Sequence, residues 1–204
     1  ITIHHLLTHT SGIGDYFDEY DKKTYSSLWD SIPMYKMENP IDFLPIIINK
    51  QKTGNPGEKY LYNNAGYILL GLIIERISKK PYKEYIRNAV FNPCKMSDSG
   101  YFKMNMLPPR TAYGYIKQED GSYRINIYDL PIIGGPDGGV YVTAVDISKF
   151  WNELNSYELL SEELTKEIFK IQTKTEKNNI GYGYGLAIEY KDEKKIEYFL
   201  NGYD

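Results

Sequence analysis

Tyr60-Leu61-Tyr62-Asn63-Asn64-Ala65-Gly66-Tyr67-Ile68-Leu69-Leu70-Gly71-Leu72-Ile73-Ile74-Glu75-Arg76-Ile77-Ser78 is the stretch on which the fold turns. Tyr60 to Asn63 reads as extended chain. From about Asn64 to Ser78 the pattern is helical and apolar nearly all round, with Ile68, Leu69, Leu70, Leu72, Ile73, Ile74 and Ile77 spread over every face. Such a helix is expected to be buried and central. Gly66 and Gly71 would let neighbouring backbone come close to it. In extended chain, residues two apart point to the same side. Tyr62 and Asn64 are therefore expected to face one pocket, with Asn63 turned away. Taken alone, the triplet reads better as an asparagine N-cap preceded by a packing tyrosine.

On the N-terminal side, Thr2 is placed to cap a short helix from Ile3 to Thr8, ended by the turn Ser11-Gly12-Ile13-Gly14. Residues 15 to 38 are polar and aromatic and read as a long loop. Asn39-Pro40 opens a helix to about Lys50, with Pro45 disturbing its first turn. Gln51 to Lys59 is a loop. On the C-terminal side, Pro81 starts a helix to about Phe91, and Pro93 breaks it. Residues 98 to 133 predict short strands with turns at Pro108-Pro109 and Asp120-Gly121. A glycine-rich loop, Gly134 to Gly139, precedes a helix that begins at Thr143 or Asp146 and runs to about Asn155. Its apolar positions are Val145, Ile147, Phe150, Trp151 and Leu154. Ser161 caps a further helix to about Ile171. Tyr182 to Tyr190 and Ile196 to Leu200 read as two antiparallel strands joined at Lys191-Asp192-Glu193. Helices come first and strands last, without β-α alternation, so the fold class is α+β.

The composition is that of an ordinary globular domain, with 204 residues, 42% hydrophobic and 25% charged. The net charge of -3 gives no electrostatic footprint for nucleic acid. The longest strongly apolar run, Tyr67 to Ile74, is far below the ~18 residues that a membrane span needs. A single cysteine, Cys94, excludes an intrachain disulfide. His5 and His9 stand four apart, a spacing that can share one metal ion on a helix. No acidic residue lies between them and no third ligand is identified, so no metal or other cofactor is expected. Asp15, Asp18, Glu19 and Asp21 read as a solvated acidic loop. Tyrosine is frequent, with 21 residues, which fits half-buried packing and also a carbohydrate-facing surface.

Five segments share a family pattern. Ile1-Thr2-Ile3-His4-His5-Leu6-Leu7-Thr8-His9-Thr10-Ser11-Gly12-Ile13 resembles the Leu-Leu-x-His-Thr-Ser-Gly segment of the penicillin-binding-protein and class C β-lactamase-like serine hydrolases. Pro56-Gly57 with Tyr62-Asn63-Asn64-Ala65-Gly66-Tyr67 resembles that family's Pro-Gly and Tyr-Ser-Asn-x-Gly-Tyr stretch. Phe91-Asn92-Pro93-Cys94-Lys95-Met96 resembles its Phe-x-Pro-Leu-Gly-Met turn, with Cys94 and Lys95 as departures. Gly138-Gly139-Val140-Tyr141-Val142-Thr143-Ala144-Val145-Asp146 resembles its Gly-Gly-Leu-x-Ser-Thr-Ala-x-Asp segment. Tyr182-Gly183-Tyr184-Gly185-Leu186 resembles its Tyr-Gly-Tyr-Gly-Trp strand. The matches run in family order across the whole chain.

The resemblance implies a β-lactamase/transpeptidase-like fold, a helical region with an antiparallel sheet flanked by helices. Residues 1-204 would be the central and C-terminal part of one domain cut at both ends, mostly helical to about 178, with the C-terminal sheet strands beginning at about 179. It implies catalytic roles for Tyr62 as a proton relay and Asn64 as a grip on a substrate amide. Gly202 and Tyr203 would form the oxyanion and substrate strand. The family's nucleophile is a Ser-x-x-Lys serine, which precedes these motifs. No serine in this chain is followed three residues later by lysine, so the nucleophile is expected upstream of Ile1. Lys52-Thr53-Gly54 spells the family's third motif, but it precedes Tyr62 and reads as a surface turn. The third-motif position falls at Leu200-Asn201-Gly202, where Leu200 replaces a basic or polar residue. Candidate reactions are those of a D,D-carboxypeptidase, an esterase or a β-lactamase-like enzyme on a small-molecule or peptidoglycan-peptide substrate, in an extracytoplasmic location. A fragment lacking the nucleophile is expected to be inactive alone. A non-catalytic binding or sensor module of the same fold is the competing expectation, and a carbohydrate-binding surface module the third. Oligomeric state is left open.

Overall fold

The structure is a computed structural model and describes residues 1–17, 25–30, 32–177, 179–190, 196–200 and 202. Helix α1 (Ile3–Leu7) starts at Thr2, whose hydroxyl accepts the His5 N–H at 3.3 Å. The helix expected from Asn39 divides. A 3₁₀ turn, Pro40–Phe43, is followed by one turn of α-helix, α2 (Leu44–Ile47). Pro45, lacking an N–H, sits in the first turn of α2, where no intrahelical donor is needed. Helix α3 (Asn64–Ser78) is the longest and ends in a left-handed Lys79. It packs on α1, on the Pro40–Phe43 turn and on α4 (Tyr82–Ile86). The chain beyond α4 continues as a π-helical turn, Arg87–Phe91.

Helix α3 is less enclosed than its composition predicts. Ala65, Gly66, Ile68 and Gly71 are buried, and Ile68 is fully so. Leu69, Leu72 and Ile73 are half-buried, however, and Ile77 is 75% exposed. An apolar groove of about 610 Å³ runs between this outer face and Ile1, Ile3 and Leu6. The inner face meets a core of Tyr16, Met37, Phe43 and Ile47. Gly71 allows the closest approach. A Cβ there would stand 2.1 Å from Cγ of Pro136, so the ring of Pro136 rests directly on the helix. Pro136 belongs to a tight turn in which Gly135 and Gly138 exchange backbone hydrogen bonds.

A second cluster, Phe91, Cys94 and Met96, packs with Phe150 of α5 (Ala144–Asn155). Thr143, not Asp146, caps α5, accepting the Asp146 N–H at 3.1 Å. Val145 and Ile147, expected on the apolar side, are exposed, and Leu154 is buried. Asp146 is fully buried and accepts from the Asp98 N–H, the Ser99 hydroxyl and Lys149 at 2.7–2.8 Å. Helix α6 (Glu162–Ile168) is capped by Ser161 and ends one turn earlier than expected.

Strands expected between residues 98 and 133 reduce to one hairpin, β1 (Tyr115–Lys117) with β2 (Tyr123–Ile125), turning at Gly121. The C-terminal sheet is antiparallel and four-stranded, in the order β3 (Thr173–Lys174), β4 (Ile180–Tyr182), β5 (Ala187–Tyr190) and β6 (Ile196–Phe199). The single strand expected over 182–190 is two strands. The chain reverses between Tyr182 and Ala187, with Gly185 at φ +83° and the Gly183 N–H bonded to the Leu186 carbonyl. That conformation suits glycine, and it makes the Gly183–Leu186 segment a turn. The expected Lys191-Asp192-Glu193 connection lies outside the described residues.

Candidate active site

Two segments build the scaffold of the site. The residues after α1 run alongside the residues before α3, joined by backbone bonds from Thr53 N–H to Gly12, Gly57 N–H to Thr10 and Leu61 N–H to His9. Gly12 has φ +67°, and a Cβ on it would stand 2.3 Å from the Gly54 carbonyl oxygen, so this crossing requires glycine. Lys52-Thr53-Gly54 therefore forms a loop tied to Gly12, with Lys52 and Thr53 exposed.

His9 is the hub of the scaffold. It is 3% exposed, adopts φ +54°, and lies among the rings of Tyr60, Tyr62, Tyr67 and Tyr182. Its Nδ1 accepts the Asn63 backbone N–H at 3.0 Å, so the ring proton belongs on Nε2. Nε2 then donates to the Tyr182 hydroxyl at 3.1 Å. The Tyr67 hydroxyl, beside that of Tyr182, donates to the Leu7 carbonyl at 3.0 Å. Burial lowers the His9 pKa to about 4, against the smaller opposing effect of the Asn63 hydrogen bond, and pushes the Tyr67 hydroxyl up to about 12. At neutral pH the network is uncharged. The Tyr62 ring, 4.4 Å from His9 centroid to centroid, is half-buried and packs against a neutral imidazole.

Asn63 is the N-cap of α3. It is buried, its side-chain oxygen accepts the Gly66 N–H at 2.7 Å, and its amide nitrogen donates to the Ile13 carbonyl at 3.0 Å. Asn64, like Tyr62, remains half-buried. Asp15 completes the helix start. Its Oδ2 accepts the Asn64 N–H at 2.7 Å, and its Oδ1 accepts the N–H groups of Ala65 at 3.0 Å and Tyr16 at 2.7 Å. Desolvation raises the Asp15 pKa, opposed by these N–H donors, and the positive end of α3 favours its charge. The expectation of a solvated acidic loop therefore fails at Asp15. Asp18, Glu19 and Asp21 lie outside the described residues.

The three histidines have separate partners. His4 pairs with the Tyr184 hydroxyl at 2.9 Å, and His5 closes the capping box of α1. Among the described residues no group of three or more potential metal ligands occurs. Gly202 is exposed, with nothing within 4 Å of a Cβ position, and Leu200 is 60% exposed. Tyr203 lies outside the described residues. Tyr62 and Asn64 flank the N-cap Asn63 at the start of α3, whereas Gly202 follows β6 in the sequence. Among the described residues no helix is long and apolar enough to cross a membrane.

Comparison with known proteins gives several relatives. Penicillin-binding protein 4* of Bacillus subtilis is 28% identical over 211 residues, covering 95% of this chain and 44% of that protein. The crystal structure of a penicillin binding protein from Bacillus halodurans superposes with a TM-score of 0.91 at 46% identity, over 94% of this chain and 59% of that one. The octameric penicillin-binding protein homologue from Pyrococcus abyssi gives 0.79 at 27% identity, over 96% and 45%. The chain thus spans roughly half the length of these relatives. The family model described as Beta-lactamase matches residues 1–203. With its helical region and antiparallel sheet in the β-lactamase/transpeptidase-like α+β fold, the chain belongs to the Beta-lactamase family of serine hydrolases.

Proposed function

We propose that residues 1–204 form the central and C-terminal part of one serine acyl-enzyme hydrolase domain, a D,D-carboxypeptidase, esterase or β-lactamase-like enzyme. The observation that carries this reading is the 46% identity to a penicillin binding protein along 94% of the chain. The nucleophile is a serine of a Ser-x-x-Lys helix upstream of Ile1. Its hydroxyl adds to the substrate carbonyl, and its proton passes through Tyr62 and the lysine to the departing amine or alcohol. Water then cleaves the acyl ester, releasing the acid and restoring the hydroxyl. A tyrosine serves as base only beside a cation. His9 is neutral, so the lysine supplies that charge. Asn64 contacts the substrate, and the Gly202–Tyr203 strand contributes an oxyanion donor. Substrates are small molecules or peptidoglycan peptides, met in an extracytoplasmic location, and the 204-residue chain alone is inactive.

Intact mass after exposure to a fluorophosphonate, and separately to a penicillin, tests this reading. The chain is compared with a polypeptide extended upstream to its native start. An adduct on the extended form only, mapped to an upstream serine, is the expected result. An adduct on the 204-residue chain would contradict it. The second reading, a binding or sensor module without chemistry, is favoured by Leu200 at the position of a basic or polar residue, and it predicts no adduct on either form.

A further inference from the structure

Asp15 touches Asn64 twice. Its Oδ2 accepts the Asn64 backbone N–H at 2.7 Å and lies 3.5 Å from the Asn64 side-chain nitrogen. Its other oxygen is tied to Ala65 and Tyr16. One carboxylate oxygen thus faces both the main chain and the amide plane of the same residue. The opposite amide orientation would set two oxygen acceptors 3.5 Å apart, one of them charged, which is unfavourable. The side-chain nitrogen of Asn64 therefore belongs on the Asp15 side. Its side-chain oxygen is directed elsewhere, and among the described residues no hydrogen bond to that oxygen is present.

We propose that Asp15 is a positioning residue for Asn64, holding its amide so that the oxygen is offered to an N–H donor in the site. The donor's chemistry is that of a substrate amide or of an ammonium group. This inference rests on the reading of Asn64 as a substrate-contacting residue. The cap and the amide are coupled, because the carboxylate that satisfies the start of α3 is the one that orients Asn64. Glutamate, one methylene longer, would reach the helix N–H groups only by moving that oxygen.

The test follows the chain, labelled with ¹⁵N at asparagine and ¹³C at aspartate, through a pH titration. The side-chain ¹⁵N signal of Asn64 is expected to shift with the midpoint of the Asp15 carboxyl carbon. In Asp15→Asn that shift disappears, while the N–H signals of α3 persist because asparagine also caps helices. If in the wild-type chain only the backbone N–H signals of Asn64 and Ala65 follow the carboxyl, Asp15 is a helix cap and the proposal fails. In the upstream-extended polypeptide, Asp15→Asn is expected to slow acylation by an amide substrate on the order of 10-fold or more, with binding changed less than about twofold. The same slowing with an N-methylated substrate assigns the donor to an ammonium group, and its loss there assigns it to the substrate amide. A change in binding alone overturns the proposal. Absence of any acylation in the wild type would sink the proposed function, while the titration would still decide the role of Asp15.

Discussion

Acid should destabilise this protein through His9. In the folded chain the imidazole is buried and neutral, with a pKa of about 4. In the unfolded chain it returns to about 6.5. The unfolded state therefore binds the extra proton first, and stability falls as pH drops below about 6.5. Each unit of pH in that window costs about 1.4 kcal/mol, so the loss is about 2 kcal/mol at pH 5 and about 3 kcal/mol at pH 4. Against a total stability of roughly 5–15 kcal/mol, that is a large share. Urea unfolding at pH 7.5, 6 and 5 measures it, with His9→Asn as the reference. Asparagine tolerates the left-handed backbone that His9 adopts and keeps an acceptor for the Asn63 N–H, but it does not titrate. The variant is expected to be less stable at pH 7.5, because the ring between Tyr62 and Tyr67 is gone, yet to lose about 2 kcal/mol less on going to pH 5. Equal losses in the two proteins would refute the assignment of His9 as the acid-sensitive group.

Four other substitutions probe the fold, the last of them as a control. Tyr182→Phe strands the buried Nε2–H of His9 and should cost about 1–3 kcal/mol by thermal or urea unfolding. Asp146→Ala removes the acceptor shared by Asp98, Ser99 and Lys149, with an expected loss of about 2–3 kcal/mol. Burial opposes the Asp146 charge, but those partners outweigh it and its pKa is lowered. Its stabilisation is thus complete above the ordinary carboxylate value and lost as pH falls through the depressed one. Gly71→Ala drives a methyl into Pro136 and should cost about 1–3 kcal/mol or more. Gly121→Ala, with open space around it, should cost only the roughly 1–2 kcal/mol of its left-handed backbone.

The start of α3 was legible because it is local. An asparagine cap, an extended tyrosine before it and a long apolar run after it leave few alternatives, and the helix begins at Asn64 as read. The Thr2 and Ser161 caps were legible for the same reason, and Thr143 was one of two starts that the sequence left open for α5. What escaped depends on distant partners. Ile77 and Val145 sit on faces that periodicity marks as apolar, yet the described residues leave them exposed. The reversal at Gly183–Leu186 is masked by the alternation of Tyr182, Tyr184 and Leu186, although Gly183 and Gly185 between them are turn residues, and Gly185 takes a positive φ. Asp15 looked like one member of an acidic loop, because nothing in the sequence tells which carboxylate folds back 49 residues away onto a helix start. The burial of His9 among four tyrosines likewise needs β4 to bring in Tyr182.

The central claim is that Tyr62 and Asn64 serve an upstream nucleophile. The most direct measurement is the rate at which the upstream-extended polypeptide is acylated by a chromogenic penicillin or ester, compared with its Tyr62→Phe and Asn64→Ala forms. Loss of a proton relay should slow acylation by roughly 10²–10⁴-fold in Tyr62→Phe, with the Asn64→Ala rate also falling and the adduct on the same upstream serine in every form. Acylation at an unchanged rate in both variants would contradict the account.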